Sequence, residues 1–519
     1  MERIYFSHAL KVKTKVFFFV TLTLLPAFVK AQGELALIDF KIKKPNRVDV
    51  ITTDEGKYIF SFLNHKQIQL TTVSKNYSFA SAQFELDKSL YRSEYLLGTR
   101  DSKFHTAYFY HERTKTIKAF RIDLGMGTAQ TLDCGVIPAD EDFLSVMQVS
   151  QKFYLITISK KTATFNLWES IQGEPFVKNS FDVAHENLHH AFLSNEGDLN
   201  EKMYSDIGID KISYDLENNL KSAHALNKLY VIDGKIIITM DEPDQSWLYT
   251  INLNEKKLNE KKLSFVLEAG EGKESNNKQG NSFLYLNKLF RVTSNDEMLN
   301  IVMLDVDSVK MEWNQKIFRD QPILIKNGPI VTESGSNTPK VIGKTSQYFN
   351  KVQNSRIAIA VNEINDQYLL QIGSYEFKQS YGPNGTGNGG GGGSRISIGV
   401  GMGMGMGMGG FGVGYPVGGG GYYGWGNPGY NYGYPGYYPN SAYTYIESTY
   451  FYSLIDAISL EHVDLAPPKT LREKLNDYED QKFKSDMPDL IKVIPLEDNG
   501  ILMGYYLRSA HKYQLVEIR

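Results

Sequence analysis

Six times along the chain a short unbroken apolar run is followed, across a polar turn, by a strand that alternates apolar and polar residues. KYIFSF (57–62) precedes QIQLTTV, TAYFY (106–110) precedes IKAFRIDL, and KFYLITI (152–158) precedes ATFNLW. KIIITM (235–240) precedes WLYTINL, RIAIAV (356–361) precedes YLLQIG, and GILMGYY (500–506) precedes YQLVEIR. A strand covered on both faces reads as an apolar run, whereas one with a wet face alternates. A covered strand hairpinned to a half-exposed one, over and over, is how a β-propeller blade is built.

The spacing agrees. Tyr58, Ala107 and Phe153 lie 49 and 46 residues apart, within the range of propeller repeats. A second echo, ALNKLYV (225–231) and YLNKLFRV (285–292), recurs after 60 residues. The expected fold is therefore all-β: a propeller-like ring of about seven blades (six to eight), formed by residues 32–519 as a single domain. Tandem β-sandwiches are the alternative that the same short strands allow. Two departures are expected. PPKTLREKLNDYEDQKF carries a capping box, Thr470 with Glu473, and Leu471, Leu475 and Tyr478 share one helical face. NEKKLNEKKL (254–263) reads as a charged, solvated connection between strands.

The chain has 519 residues and 42% hydrophobic content, enough for a large core. Its formal charge of -3 and lack of any Lys/Arg block argue against a nucleic-acid partner. The first residues read as a secretory signal peptide. Arg3, Lys11, Lys13 and Lys15 precede the apolar run 16–29, and Val29 and Ala31 place small residues before a cut between Ala31 and Gln32. Removal of 1–31 takes away five basic residues and one acidic residue, moving the net charge from -3 to -7. The apolar run falls short of the ~20 residues a spanning helix needs, so no transmembrane segment is expected. The protein is expected to be exported: periplasmic, secreted or surface-associated. Cys134 stands alone, which rules out an intrachain disulfide and suits a small apolar filler.

Residues 382–440 hold 26 of the chain's 45 glycines. Gly407, Gly409 and Gly412 satisfy G-x-G-x-x-G, but no helix-forming sequence follows, and Arg395 is the sole charged residue between Lys378 and Glu447. The dinucleotide fingerprint needs both a helix and an acidic residue downstream, so no cofactor is expected. The alternation of Met402, Met404, Met406 and Met408 with glycine, and the tyrosines after them, departs from a plain linker. The segment reads as a Gly/Met/Tyr-rich insertion between strands, disordered in isolation, and either a plain spacer or a segment for self-association or surface adhesion.

One catalytic-looking motif occurs. AHENLHH contains His185, Glu186 and His189, a formal H-E-x-x-H in which two imidazoles one helical turn apart would hold zinc beside a general base. Glu201, in LNEKMYSD, would be the third ligand, and that local sequence looks a little like the second-ligand motif of thermolysin-type proteases. The strand-rich flanks and the tight spacing to Glu201 favour a polar helical excursion, with Asp182 as cap and Val183, Leu188 and Phe192 facing inward. The acidic turn 138–142 and the Asp305/Asp307 pair read as solvated turns without a calcium-loop pattern. These features lead to an exported, non-catalytic binding protein with a protein or glycan ligand. A propeller hydrolase or lyase with its site at the central channel is the alternative, and a zinc peptidase using His185/Glu186/His189 a more distant one.

Overall fold

Five of the six apolar runs are the second strands of antiparallel meanders and their alternating partners the third; RIAIAV is instead the first strand of its meander and YLLQIG the second. The computed structural model describes residues 32–53, 55–194, 209–265, 278–334, 339–381, 442–483, 488–496 and 500–519. The signal peptide, Glu201 and the insertion 382–440 lie outside the described residues.

Strand β1 is Gln32–Asp39. Sheet I is β2 (Arg47–Thr52), β3 (Tyr58–Leu63), β4 (Gln67–Val73) and β5 (Phe79–Glu85). Sheet II is β6 (Glu94–Arg100), β7 (Phe104–His111), β8 (Thr116–Asp123) and β9 (Thr128–Val136). Sheet III is β10 (Glu141–Val149), β11 (Lys152–Ser159), β12 (Thr164–Ile171) and β13 (Val177–Asp182). Sheet IV adds a short parallel strand, β14 (Asp210–Lys211), to β15 (Asn227–Ile232), β16 (Lys235–Glu242), β17 (Gln245–Asn252) and β18 (Lys257–Ser264). Sheet V is β19 (Gln279–Tyr285), β20 (Lys288–Ser294), β21 (Met298–Asp305) and β22 (Lys310–Phe318).

Sheet VI breaks the order. Its strands β25 (Arg356–Ile364), β26 (Gln367–Tyr381) and β27 (Ala442–Asp456) run consecutively, but its outer strands, β23 (Ile330–Ser334) and β24 (Lys340–Ile342), come from upstream. Sheet VII is β28 (Asp489–Pro495), β29 (Ile501–Leu507) and β30 (Lys512–Ile518), completed by β1 from the other end of the described chain. Among the described residues the α-helices are α1 (Leu188–Ser194), α2 (Leu220–Ala223), α3 (Thr345–Gln353) and α4 (Leu471–Lys482).

The chain is thus all-β and of the β-propeller type, with seven sheets among the described residues. Most sheets are meanders contiguous in sequence, not pairs linked by Greek-key crossings, so tandem sandwiches give way. Burial follows the same logic. Second strands such as β11 and β16 are covered along nearly their whole length, whereas fourth strands such as β5 and β22 are mostly exposed.

Two compact units can be distinguished. Met1–Glu85 with Lys469–Arg519 contains sheets I and VII, whose core includes Ile38, Phe60, Phe62, Leu502, Tyr513 and Leu515. Leu86–Pro468 contains sheets II–VI, with cores at the junctions of neighbouring sheets. Helix α4 starts as expected: Glu473 N donates to Thr470 Oγ1 (3.1 Å), and Thr470 N donates to Glu473 Oε2 (2.9 Å). Leu475 and Tyr478 are buried.

Three expectations need correction. NEKKLNEKKL is not only a connection: it forms the turn and then the edge strand β18, which pairs with β17 along its full length. Asp182 does not cap a helix; it ends β13 and accepts from Thr164 Oγ1 (2.7 Å), while α1 begins at Leu188. ALNKLYV and YLNKLFRV are not equivalent, because Asn227 opens a first strand while Asn287 sits in the turn before a second.

The insertion site has a simple geometry. Tyr381 and Ala442 are paired partners at the tip of the β26–β27 hairpin, so the chain leaves and re-enters at adjacent strands. Replacing residues 382–441 with a two-residue hairpin turn is therefore expected to leave the melting temperature within about 2 °C, since loop length adds closure cost only slowly. Differential scanning calorimetry of the two proteins checks it, and a fall of 10 °C or more would make the segment part of the core.

Candidate functional site

One turn recurs at the end of the third strand and organises the candidate site. In sheet II, Asp123 Oδ1 accepts from Gly125 N and Met126 N, both at 2.9 Å. In sheet IV, Asn252 Oδ1 accepts from Asn254 N (2.9 Å) and Glu255 N (3.0 Å). In sheet V, Asp305 Oδ1 accepts from Ser308 N (2.9 Å), and in sheet VI, Asp456 Oδ1 accepts from Ile458 N (3.0 Å) and Ser459 N (2.7 Å). Short Asx side chains of this kind stabilise a turn by replacing backbone bonds.

Each turn then places one residue in the left-handed region: Gly127 (φ 66°), Lys256 (φ 54°), Val309 (φ 56°) and Leu460 (φ 60°). Glycine takes this conformation at no steric cost, whereas a β-branched residue there is a true outlier. Sheets V and VI put Val309 and Leu460 where sheet II has glycine. Leu286, in the β19–β20 turn at the same end of sheet V, is also left-handed (φ 52°).

Leu460 lines a cleft of about 420 Å³ between sheets V and VI, and Val309 and Leu286 sit in turns at that end of sheet V. Met303, Met311, Tyr368, Ile458 and Leu460 supply its apolar wall. Ile458 is 88% exposed, Met311 53%, Leu286 52% and Val309 49%. Four large apolar side chains held in water at one end of two neighbouring sheets form a patch of the kind that marks contact surfaces. Lys288, Lys310 and Glu312 complete the lining. Burial acts to lower the Lys288 pKa, but hydrogen bonds to Glu312 (2.6 Å) and Asp305 (3.2 Å) outweigh it and keep the ammonium charged. Asp305, hydrogen-bonded by Ser308 and then by Lys288, is held down to about 2.

If Val309 serves contact and not the fold, removing its side chain relieves the backbone. Val309→Gly is expected to raise unfolding free energy by about 1 kcal/mol, the relief of left-handed strain exceeding the added unfolded-state entropy. Urea unfolding reads it directly. A loss of stability would show that this side chain supports the core.

The H-E-x-x-H residues are placed differently. α1 begins at Leu188, so His185 and Glu186 precede the helix and the two imidazoles do not share a helical face. His185 Nε2 lies 3.3 Å from Glu242 Oε1 on β16, while His189 Nε2 lies 2.8 Å from Asp142 Oδ2 on β10. The segment links sheets III and IV, with Leu188 and Phe192 buried between them. No group of three or more His, Cys, Asp or Glu suited to a metal occurs among the described residues.

The acidic stretch 138–142 is not simply a solvated turn. Glu141 is buried on β10, where Lys178 Nζ meets it at 2.5 Å and Thr157 also donates to it. Burial works to raise the pKa of Asp142, but hydrogen bonds from His189 and Lys160 bring it below the ordinary value. Cys134 is buried, and desolvation pushes its thiol up to about 12, which leaves it a poor nucleophile.

Sequence reasoning passed over the densest polar cluster. Asp241 on β16 is fully buried with Lys228 on β15 and Arg291 on β20, at 3.5 Å and 3.0 Å. Asp241 also accepts from Ser282 N (2.6 Å) and Ser246 Oγ (2.5 Å), and Lys228 Nζ donates to Asn281 Oδ1 (3.2 Å). Burial presses the Lys228 pKa down against the pull of Asp241. This cluster ties sheet IV to sheet V and opens to no solvent, which fits a structural clamp better than a reaction centre.

No family model matches the chain, and no curated protein matches it. Among solved structures it is similar to the Nup133 β-propeller domain of Vanderwaltozyma polyspora, at 7% identity over 66% of this chain and 87% of that one, with a TM-score of 0.27. It is also similar to the Dos1 propeller (10% identity, 62% and 65% covered, TM-score 0.25). A third is a quinonprotein alcohol dehydrogenase-like protein from Bacteroides thetaiotaomicron (9% identity, 54% and 68% covered, TM-score 0.24). At these scores nothing about function passes from them to this chain.

Proposed function

We propose that this is an exported, non-catalytic binding protein on a propeller scaffold, whose contact face is the turn end of sheets V and VI. One observation carries the reading: Ile458 and Met311 stay exposed on the wall of a cleft, at the end of the two sheets where Leu286, Val309 and Leu460 hold strained backbone. Neither feature helps the fold, since exposure forfeits burial and left-handed Val and Leu cost about 1–3 kcal/mol each. A partner that covers Ile458 and Met311 would recover the burial. Export rests on the signal-like segment 1–31, which places the partner, a protein or a glycan, in the periplasm or at a cell surface. The Gly/Tyr-rich segment 382–440 would add weak contacts between copies or with that surface.

The test places a photo-crosslinking amino acid at Ile458 and, as control, at Phe79, which is also exposed but lies in sheet I. The full chain is returned to the cells that export it and irradiated. A discrete adduct from position 458 alone supports the reading. Equal labelling from both positions, or none, contradicts it.

A further inference from the structure

Acidic groups crowd the rim of the apolar face. Asp305 and Glu312 are taken up by Lys288. Beyond them stand four exposed carboxylates: Asp307 in the β21–β22 turn, Glu363 and Asp366 around the β25–β26 turn, and Glu461 after the Asp456 turn. Their placement is fixed by the same turns that build the cleft. Ala457 N donates to the Asp366 carbonyl (3.0 Å) and Asp456 N donates to the Glu461 carbonyl (3.0 Å), while the phenols of Tyr285 and Tyr368, raised first by burial, are raised further by the nearby Glu363. Against these four stand Lys310 on the cleft wall and Lys261, whose ammonium is held by the carbonyls of Val306 (2.6 Å) and Asp307 (3.2 Å).

We propose that the partner presents a cationic amphipathic polypeptide segment, with aliphatic side chains entering the cleft and Lys or Arg meeting the acidic rim. The inference rests on the binding reading above and names the chemistry of the partner. Complementary charge steers encounter and fixes register, while the apolar anchors supply most of the affinity. Met303 and Met311 suit an anchor that varies in shape, because an unbranched thioether repacks readily. A sugar fits less well: the aromatic ring in the cleft, Tyr368, is only 8% exposed and offers no open face for stacking.

The test uses the full chain with methyl-labelled methionine and three peptides of equal length, in which Leu alternates with Lys, Gln or Glu. The Leu/Lys peptide should shift the Met311 methyl, leave Met126 on sheet II unmoved, and bind at least about tenfold more tightly than the Leu/Glu peptide, a difference of about 1.4 kcal/mol. That preference should shrink as salt rises and reverse in the Glu363→Lys/Glu461→Lys variant. Equal affinity for the Lys and Glu peptides at Met311 would overturn the charge inference and leave the binding face standing. A soluble oligosaccharide shifting Met311 where no peptide does, or self-association that buries Met311, would replace the segment with another occupant. No shift at Met311 from any of these probes would remove both the inference and the face.

Discussion

Replacing Asp241 with alanine is expected to cost about 3–5 kcal/mol of unfolding free energy, the largest single effect of any substitution considered for this chain. The carboxylate is fully buried between Lys228 and Arg291, and it also accepts from Ser246 and Ser282. Removing it leaves two buried cations without the carboxylate they contact directly, and burying an unpaired charge is far more costly than losing a hydrogen bond. Against a typical total of about 5–15 kcal/mol, such a loss consumes much of the stability of the domain. Lys228→Met should cost less, because Asp241 keeps Arg291. Urea unfolding of both variants checks the order, and a cost under about 1 kcal/mol for Asp241→Ala would mean that the cluster is not closed to water.

Deleting residues 511–519 should be of similar size and different in kind. β30 is an interior strand, paired on one edge to β29 from Ile501↔Ile518 to Leu507↔Lys512 and on the other to β1. Its loss removes Tyr513, Leu515, Val516 and Ile518, all buried, and leaves β1 without a partner strand. Tyr513 also packs edge-on against Phe62 of sheet I at 4.9 Å. Protection in hydrogen exchange should therefore collapse across both sheets I and VII, not only beside the cut. Loss confined to β1 and β29 would show that the two sheets hold independently.

How much of this was legible depends on where each strand meets water. The second and third strands of a sheet show in sequence because one is covered on both faces and the other on one, so KFYLITI and ATFNLW announce β11 and β12. Fourth strands do not show. β18 and β22 are wet on most positions, and KLNEKKLS or KMEWNQKIF carries neither an apolar run nor clean alternation. The crossover that brings β23 beside β27 was beyond reach, since it joins residues more than 100 apart with no local signal. A better repeat was present and passed over. IDLGMG, INLNEK, LDVDSV and IDAISL each end a third strand with Asx and its turn, and they mark four sheets more reliably than the LNKL echo.

The cleft was harder to foresee. Its parts lie at Lys288, Met303, Met311, Tyr368 and Ile458, and only sheet packing brings them together. The clue in the sequence was chemical: Val309 and Leu460 occupy turn positions that favour glycine. The H-E-x-x-H pattern misled in the opposite way, because helix formation began three residues after His185 and turned the two imidazoles toward carboxylates on separate sheets.

The central claim is that the turn end of sheets V and VI makes the functional contact. The most direct measurement is the affinity of the partner cross-linked through position 458 for the full chain and for the Ile458→Asp/Met311→Asp variant. Both residues are exposed, so the melting temperature should hold within a few degrees while binding weakens at least about tenfold, or about 1.4 kcal/mol. Unaltered affinity in a folded variant would contradict the account.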